Sequence, residues 1–355
     1  MNDVDALVVI SKYAGERFDL VQAGGGNSSV KLDDGTMLIK ASGFLLSDVE
    51  KEHGYSRVTT DQIANMVNHK QLAQLLDKRE RETLTASLVK AATLDKVNRP
   101  SIETLLHSLM MKYTLHTHPI VVNMIVIQKN WKELLKQIFG NDEIACVGYQ
   151  TPGIELALAL NEETKRYENI PKIFFLQNHG LIVTSDKIEE IESLTEYVLE
   201  KIEKYLSIDM RKYKTVSKIS NFVNTIDNQS NIAYLSEDSM IEKLMQTNKE
   251  LFNIRPFCPD TLVYCGVNVV DIVSLENPEK IQGYFEKYFE MPKILIYGEH
   301  LYIIAKSIKK AKEIEEVLKF HLMTLVHNSA NVNFLTLDEM SYLSNWEAEK
   351  FRKEL

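Results

Sequence analysis

The sequence predicts an α/β fold: a central mixed, largely antiparallel sheet flanked by helices, followed by a smaller C-terminal α/β lobe. Three observations carry this. Stretches with strand-like and helix-like spacing alternate through most of the 355 residues. Apolar runs meet at two tight turns, Asp33-Asp34-Gly35 and Asn178-His179-Gly180. The composition turns polar between residues 207 and 235, dividing the chain into 1–206, a linker or exposed connection over 207–235, and a lobe over 236–355. A chain of this length suits a core domain with a second, smaller one.

Residues 3–17 carry the spacing of an amphipathic helix. Ser29 to Leu32 and Thr36 to Ala41 flank an Asp-Gly pair able to take the positive φ that tight hairpins need. Residues 61–79 are expected to be helical, and the charged DKRERET after them a surface turn. Another helix starts at Pro100-Ser101, with Ser101 as N-cap and Glu103 in the first turn, where the helix dipole favours a carboxylate. YTLHTHP (113–119) reads as a strand, followed by helices over 120–128 and 131–139, a strand at EIACVGYQ and a helix begun by Pro152. KIFFLQNHGLIVTS (172–185) gives two strands, and 187–206 a long helix. The lobe is expected to hold a helix (237–251), a strand at TLVYCG, a helix (279–289), a hairpin at KILIYGEHLYIIAKS, a long helix (308–328) and a last helix in LDEMSYLSNWEAEKFRKEL.

Composition narrows the partners. A 45% hydrophobic, 26% charged chain is ordinary for a folded domain, and a net charge of -9 argues against a nucleic-acid surface. Cys146, Cys258 and Cys265 form no CxxC pair or disulfide framework, which points to a reducing cytoplasm. The N-terminus starts acidic and its apolar run is broken by Lys12, unlike a signal peptide. No stretch reaches the roughly 18 apolar residues of a membrane span. The charge is compatible with a local basic pocket for a small phosphorylated substrate.

His116 and His118 are two apart on an expected strand, so both imidazoles point to one face and Thr117 to the other. An HxH pair alone does not make a metal site; a third ligand must come from elsewhere. His179 is the best candidate, at a strand turn beside Gly180, which lets the backbone approach a crowded site. Three histidines leave a fourth position open, as catalytic zinc sites require. Gly24 to Ser29 form a loop rich in backbone donors, able to face an anion, and Asn27 with Ser28 and Ser29 points to ligand binding rather than a plain turn.

GGGNSSVK, IKASG, PSIETLLH, HTHP and QNHGLIV resemble, in order, the motifs of class II (zinc-dependent) sugar aldolases, the family that also includes the adducin head domain. The resemblance covers roughly residues 5–206. FCPDTLVYCG, PKILIYGEHLYIIAKS and LSNWEAEKFR resemble the aldolase half of bacterial fusions with a short-chain dehydrogenase, of the rhamnulose-phosphate aldolase type. The resemblance implies a three-layer α/β/α fold. It makes His116, His118 and His179 ligands of zinc or another divalent transition metal, and Glu103 the catalytic acid/base. It puts Gly26, Asn27, Ser42, Gly43 and Ser101 against the substrate, a sugar or sugar phosphate. It further implies a homo-oligomer and a separate dehydrogenase as partner, since no GxGxxG fingerprint is present. One position departs from the pattern: Ile102 stands where a second serine hydroxyl is usual.

The chemistry suits the residues. Cleaving a sugar's carbon–carbon bond leaves an enediolate whose charge a cation stabilises, while a positioned carboxyl group transfers the proton at carbon. A dehydratase and an epimerase share the first half of this mechanism, and a non-catalytic adducin-head-like binding module needs neither metal nor acid. His107 and the remaining histidines are expected to be structural or surface residues.

Overall fold

The computed structural model of the chain describes residues 1–345 except 141, 228, 254, 329 and 330. It forms two compact units, Met1–Met210 and Arg211–Leu355. The first contains, in order, α1 (Asp3–Gly15), β1 (Asn27–Lys31), β2 (Thr36–Lys40), β3 (Tyr55–Thr59), α2 (Thr60–Ala64), α3 (Lys70–Gln74), α4 (Lys78–Ala92) and α5 (Thr104–Ser108). These are followed by β4 (Tyr113–Thr117), α6 (Ile120–Val126), α7 (Trp131–Phe139), β5 (Ala145–Val147), α8 (Ile154–Thr164), β6 (Ile173–Leu176), β7 (Gly180–Ser185) and α9 (Glu189–Leu206).

The strands form a seven-stranded sheet in the order β3-β2-β1-β4-β7-β6-β5, antiparallel except for the parallel β5–β6 pair. Alternation along each strand separates two buried faces. Met37, Ile39, Val58, Phe174, Leu176 and Ile182 point to one, where they pack with Leu105 and Leu106 of α5 and with Ile154 and Leu160 of α8. The other face is covered by α1, which packs on β1, and by α9, which packs on β7 and α6. The result is the expected three-layer arrangement around a mixed, mostly antiparallel sheet.

The second unit contains α10 (Arg211–Asp227), β8 (Ile232–Leu235), α11 (Ser239–Thr247), α12 (Pro259–Cys265), β9 (Val270–Ile272), α13 (Glu279–Tyr288), β10 (Ile294–Tyr297), β11 (His300–Ala305), α14 (Ile308–Leu325) and α15 (Leu337–Asn345). Its four strands lie in the order β8-β11-β10-β9, with β9–β10 parallel. Apolar clusters cover both faces of this sheet.

Four expectations are corrected. Residues 207–235 are not a linker but hold α10 and β8. Val216, Ile219 and Val223 recur at helical spacing and are buried together with Ser217 and Ser220. DKRERET is not a turn: Asp77 caps α4 through the Arg79 and Glu80 amides, and the helix continues to Ala92. TLVYCG is helical, in α12, because Pro259 at the first helical turn and the Thr261 hydroxyl bonded to the Cys258 backbone start a helix through residues of strand-like composition. Residues 61–79 break into α2, a 3-10 turn and α3 rather than one helix. The expected last helix matches α15 as far as Asn345; the rest of it lies outside the described residues.

Phe174 is fully buried in the layer beneath α5 and α8. Phe174→Ala should lower unfolding stability by roughly 3–5 kcal/mol, checked by urea titration.

Candidate metal centre and acid/base site

Three of the strand pairings converge on one end of the sheet. His116 lies on β4, opposite Asn27 of β1 and Ile182 of β7. Its side chain therefore shares the α5–α8 face with Ile182, which belongs to that cluster. His118 sits just past the end of β4, and His179 is the last residue of the turn joining β6 to β7, next to Asn178 at φ 53. This turn places His179 beside β4 because Gly180 has no side chain: a Cβ there would lie 2.2 Å from the Thr117 carbonyl oxygen and 3.1 Å from the His118 ring.

The three rings meet through Nε2. That of His116 is 3.1 Å from His118 Nε2 and 3.3 Å from His179 Nε2. His116 Nδ1 lies 2.9 Å from the Leu181 carbonyl oxygen, which can only accept, so Nδ1 carries the proton and Nε2 faces the centre. Ring nitrogens this close repel unless a proton or cation lies between them. Three nitrogens bound tetrahedrally at zinc's usual distance would be roughly 3.3 Å apart. His116 Nε2 keeps about that spacing from each of the other two, and all three donors lie within 4.8 Å of one another, a set able to gather on one divalent ion.

Glu103 completes the cluster. It is 7% exposed, and Oε1 lies 3.4 Å from His116 Nε2 and 3.2 Å from His179 Nε2. Burial works to raise its pKa, but the charges and hydrogen bonds of His116 and His179 outweigh it and hold the carboxyl well below the usual range. Burial likewise disfavours the imidazolium of His116, and the Glu103 carboxylate reverses this and raises its pKa. His118 is pushed down to about 3 by burial and then by the charges of His116 and His179. The pocket thus favours positive charge at its centre while keeping His118 a neutral ligand, the state a metal needs.

Glu103 is not in the first turn of a helix. It is the N-cap of α5, which begins at Thr104, because Ser101 closes a separate turn: its carbonyl accepts from the Thr104 amide and its hydroxyl from the Glu103 amide. The carboxylate is left to reach the imidazoles. Asn27 Nδ2 donates to the same Ser101 hydroxyl. Gly26, at φ 74, leaves room for the His116 carbonyl, 2.9 Å from where its Cβ would be. The exposed Ser42 and Gly43 lie next to this segment, through an Ala41–Pro100 bridge and the Ser42 amide bonded to the Arg99 carbonyl. Ser101 and the 61%-exposed Ile102 border a cavity of about 1030 Å³ with Lys90, Lys96 and Arg99.

Ser28 is the exception among the expected site residues. Strand alternation turns it to the opposite face, where its hydroxyl lies 2.7 Å from that of Ser11 on α1, fully buried. Its side chain is part of the core.

A family model, the class II aldolase and adducin N-terminal domain, matches residues 5–206. The chain belongs to this family. Class II aldolases of known structure are similar to it at low identity. The N-terminal class II aldolase domain of a conserved protein from Thermoplasma acidophilum is 24% identical over 58% of this chain and 94% of that one, with a TM-score of 0.48. L-fuculose-1-phosphate aldolase from Thermus thermophilus is 15% identical over 58% and 94%, with a TM-score of 0.38. YuxG of Bacillus subtilis strain 168, called an uncharacterized oxidoreductase, is 27% identical over 213 residues, 58% of this chain and 30% of that protein. The match thus spans less than a third of that relative's length.

Sequence reasoning missed several supports of this aldolase-family site. Gly25 packs so closely that a Cβ would lie 2.8 Å from His118 Nδ1, and the buried Lys40 binds the Phe44 carbonyl at 2.7 Å and so ties down the Ser42–Gly43 loop. The three consecutive glycines were the available signal for the first; nothing local marks the second. His107 of α5, expected to be structural or on the surface, is fully buried with Nδ1 2.8 Å from the Ser29 hydroxyl.

Both the glycine contact and the buried imidazole can be tested. Gly180→Ala should cost about 1–3 kcal/mol of stability by forcing β7 from β4, and should weaken metal binding, as read by thermal unfolding with and without Zn²⁺. Burial, aided by the charge of His116, pushes His107 down to about 3 in the folded protein, against about 6.5 unfolded. The unfolded chain therefore binds the extra proton between these values. Stability from this group is complete above about 6.5 and falls as the pH drops toward 3, at up to about 1.4 kcal/mol per pH unit. His107→Gln should reduce that slope by one proton, measured by denaturant titration across the window.

Proposed function

We propose that the chain is a divalent-metal-dependent lyase that breaks or forms a carbon–carbon bond in a sugar or sugar phosphate, with residues 1–206 as its catalytic domain. The supporting observation is the convergence of three imidazole nitrogens and one buried carboxylate in a member of the class II aldolase family. His116, His118 and His179 are the ligands, and zinc is the ion that three imidazoles suit best. When bound, it supplies a Lewis acid that offsets negative charge developing on substrate oxygens.

The chain's own residues do the rest. Glu103 takes and returns the proton on the substrate carbon; its carboxylate is buried against two imidazoles, and the Ser101 hydroxyl fixes its backbone. Asn27 and Ser101, joined to each other, orient substrate hydroxyls, with Gly26, Ser42 and Gly43 offering close backbone approach. The adjoining cavity with Lys90, Lys96 and Arg99 receives the substrate's far end. Ile102 offers that end an apolar contact where a hydroxyl is absent. A homo-oligomer and a separate dehydrogenase partner belong to this proposal; the oxidoreductase name of its Bacillus relative supports the partner alone.

Incubation with candidate ketoses and ketose phosphates tests the reaction. Two carbonyl fragments are expected; a single dehydrated product or a stereoisomer would replace the lyase with a dehydratase or an epimerase. Glu103→Gln should keep the metal and lose about 100- to 10,000-fold in turnover, whereas His116→Ala should lose both. A well-folded wild-type protein that takes up no stoichiometric metal would leave a binding module instead.

A further inference from the structure

His118 is held differently from the other two imidazoles. His116 is locked by the β4 ladder on both sides and by Nδ1 on the Leu181 carbonyl, and His179 by its hairpin. β4 ends at Thr117, so the ladder does not extend to His118. Its amide donates instead to the Leu20 carbonyl at 2.9 Å, and the next turn is held by the Ile120 amide on the Asp19 carbonyl at 2.9 Å. Gly25, in the same segment, packs against its ring. The position of the third imidazole therefore depends on residues 17–25, which belong to no strand or helix.

A buried charge cluster gives that segment its shape. Arg17 is 1% exposed and grips Asp19 with two parallel bonds, Nε to Oδ1 at 3.0 Å and Nη2 to Oδ2 at 2.6 Å. Its Nη1 reaches Glu196 of α9 and, at 3.3 Å, the Tyr13 hydroxyl, which donates to Glu196 at 2.6 Å. The Arg17 carbonyl accepts the Leu20 and Val21 amides at 3.0 and 3.1 Å, closing the turn that presents the Asp19 and Leu20 carbonyls to residues 118–120. A guanidinium buried with one carboxylate and bonded to a second, half-buried one is weak evidence of added stability, since apolar residues of the same volume often do as well. A planar fork that fixes a turn in one geometry is a reason to keep it.

We infer that Arg17 and Asp19 are positioning residues for the metal centre: their bidentate pair sets the 17–25 turn, and through it His118. The inference rests on the three-histidine reading above, with the cation as the ligand whose affinity the turn controls. Arg17→Lys keeps the charge and loses the fork; Asp19→Asn keeps the shape and loses a charge.

The test uses the full chain loaded with Co²⁺, whose visible absorption reports ligand number and geometry, with affinity measured by chelator competition. Loss of a group that orients a ligand typically costs 10- to 100-fold in metal affinity, and that loss is expected for both variants, with an altered Co²⁺ spectrum. Melting temperatures with chelator and with metal separate positioning from bulk stability. Positioning shrinks the metal-induced rise. Leu160→Val, a buried change on α8 remote from the turn, should lower the metal-free melting temperature and leave Co²⁺ affinity unchanged. Should Arg17→Lys not fold, Asp19→Asn carries the same comparison. Wild-type affinity and spectrum in a folded variant overturn this inference alone; a wild-type chain that binds no Co²⁺ overturns it together with the metal reading.

Discussion

The close approach of β4 and β7 is the constraint on which the site depends. His116 is on one of these strands and His179 at the mouth of the other, and their Nε2 atoms meet at 3.3 Å only because Gly180 presents no Cβ to the Thr117 carbonyl. The same pairing puts the Leu181 carbonyl on His116 Nδ1 and so decides which nitrogen faces inward. One backbone contact thus sets both a distance and a tautomer. The β1–β4 pairing adds Asn27 opposite His116, and α5 beneath this face adds Glu103. His116 and Asn27 lie in strands whose neighbouring side chains are largely core, while Glu103, His118 and His179 sit at the ends of elements that the same core holds in place.

Much of this was legible in the sequence, for physical reasons that differ by element. The HxH spacing and the Asn178-His179-Gly180 turn carry local rules, and the structure follows the close approach expected at Gly180; His116 is on the strand as expected, but β4 ends at Thr117 and leaves His118 just beyond it. The hairpin around Gly35 and the helices α6, α7, α9 and α14 also follow from local periodicity. What failed were segments in which composition and pattern disagree. α10 is polar overall yet carries a narrow apolar stripe, and α12 has the composition of a strand but a helix start at Pro259. Ser28 failed for another reason: in a donor-rich motif, adjacent residues look equivalent, but once Asn27 and Ser29 face α5 the pleat sends Ser28 to α1. Arg17 and Asp19 lacked any local mark, because partners 179 residues apart in sequence, Arg17 and Glu196, meet only in the fold.

The distribution of buried charge separates the two units. Among the described residues, the buried lysine, arginine, aspartate and glutamate side chains are Lys12, Glu16, Arg17, Asp19, Lys40 and Glu103, all in the first unit. The second unit buries hydroxyls, one amide and His321 but no side chain of these four types. Its core is conventional packing of apolar layers on a small sheet, and nothing in it demands charge.

Burying six such groups is an inefficient route to stability, since desolvation offsets most of what their pairing returns. A core under selection for stability alone would exchange them for aliphatic residues. Glu103 lies against the imidazoles, Lys40 ties down the loop beside Ser101, and Arg17 with Asp19 shapes the turn behind His118. These four bear on one end of the sheet, the end where the ring nitrogens meet. A folded domain tolerates such local conflict with its own packing rules where geometry matters more than free energy. By that criterion the buried charge of the first unit gathers behind the His116–His118–His179 corner, the place to which we assign the chemistry.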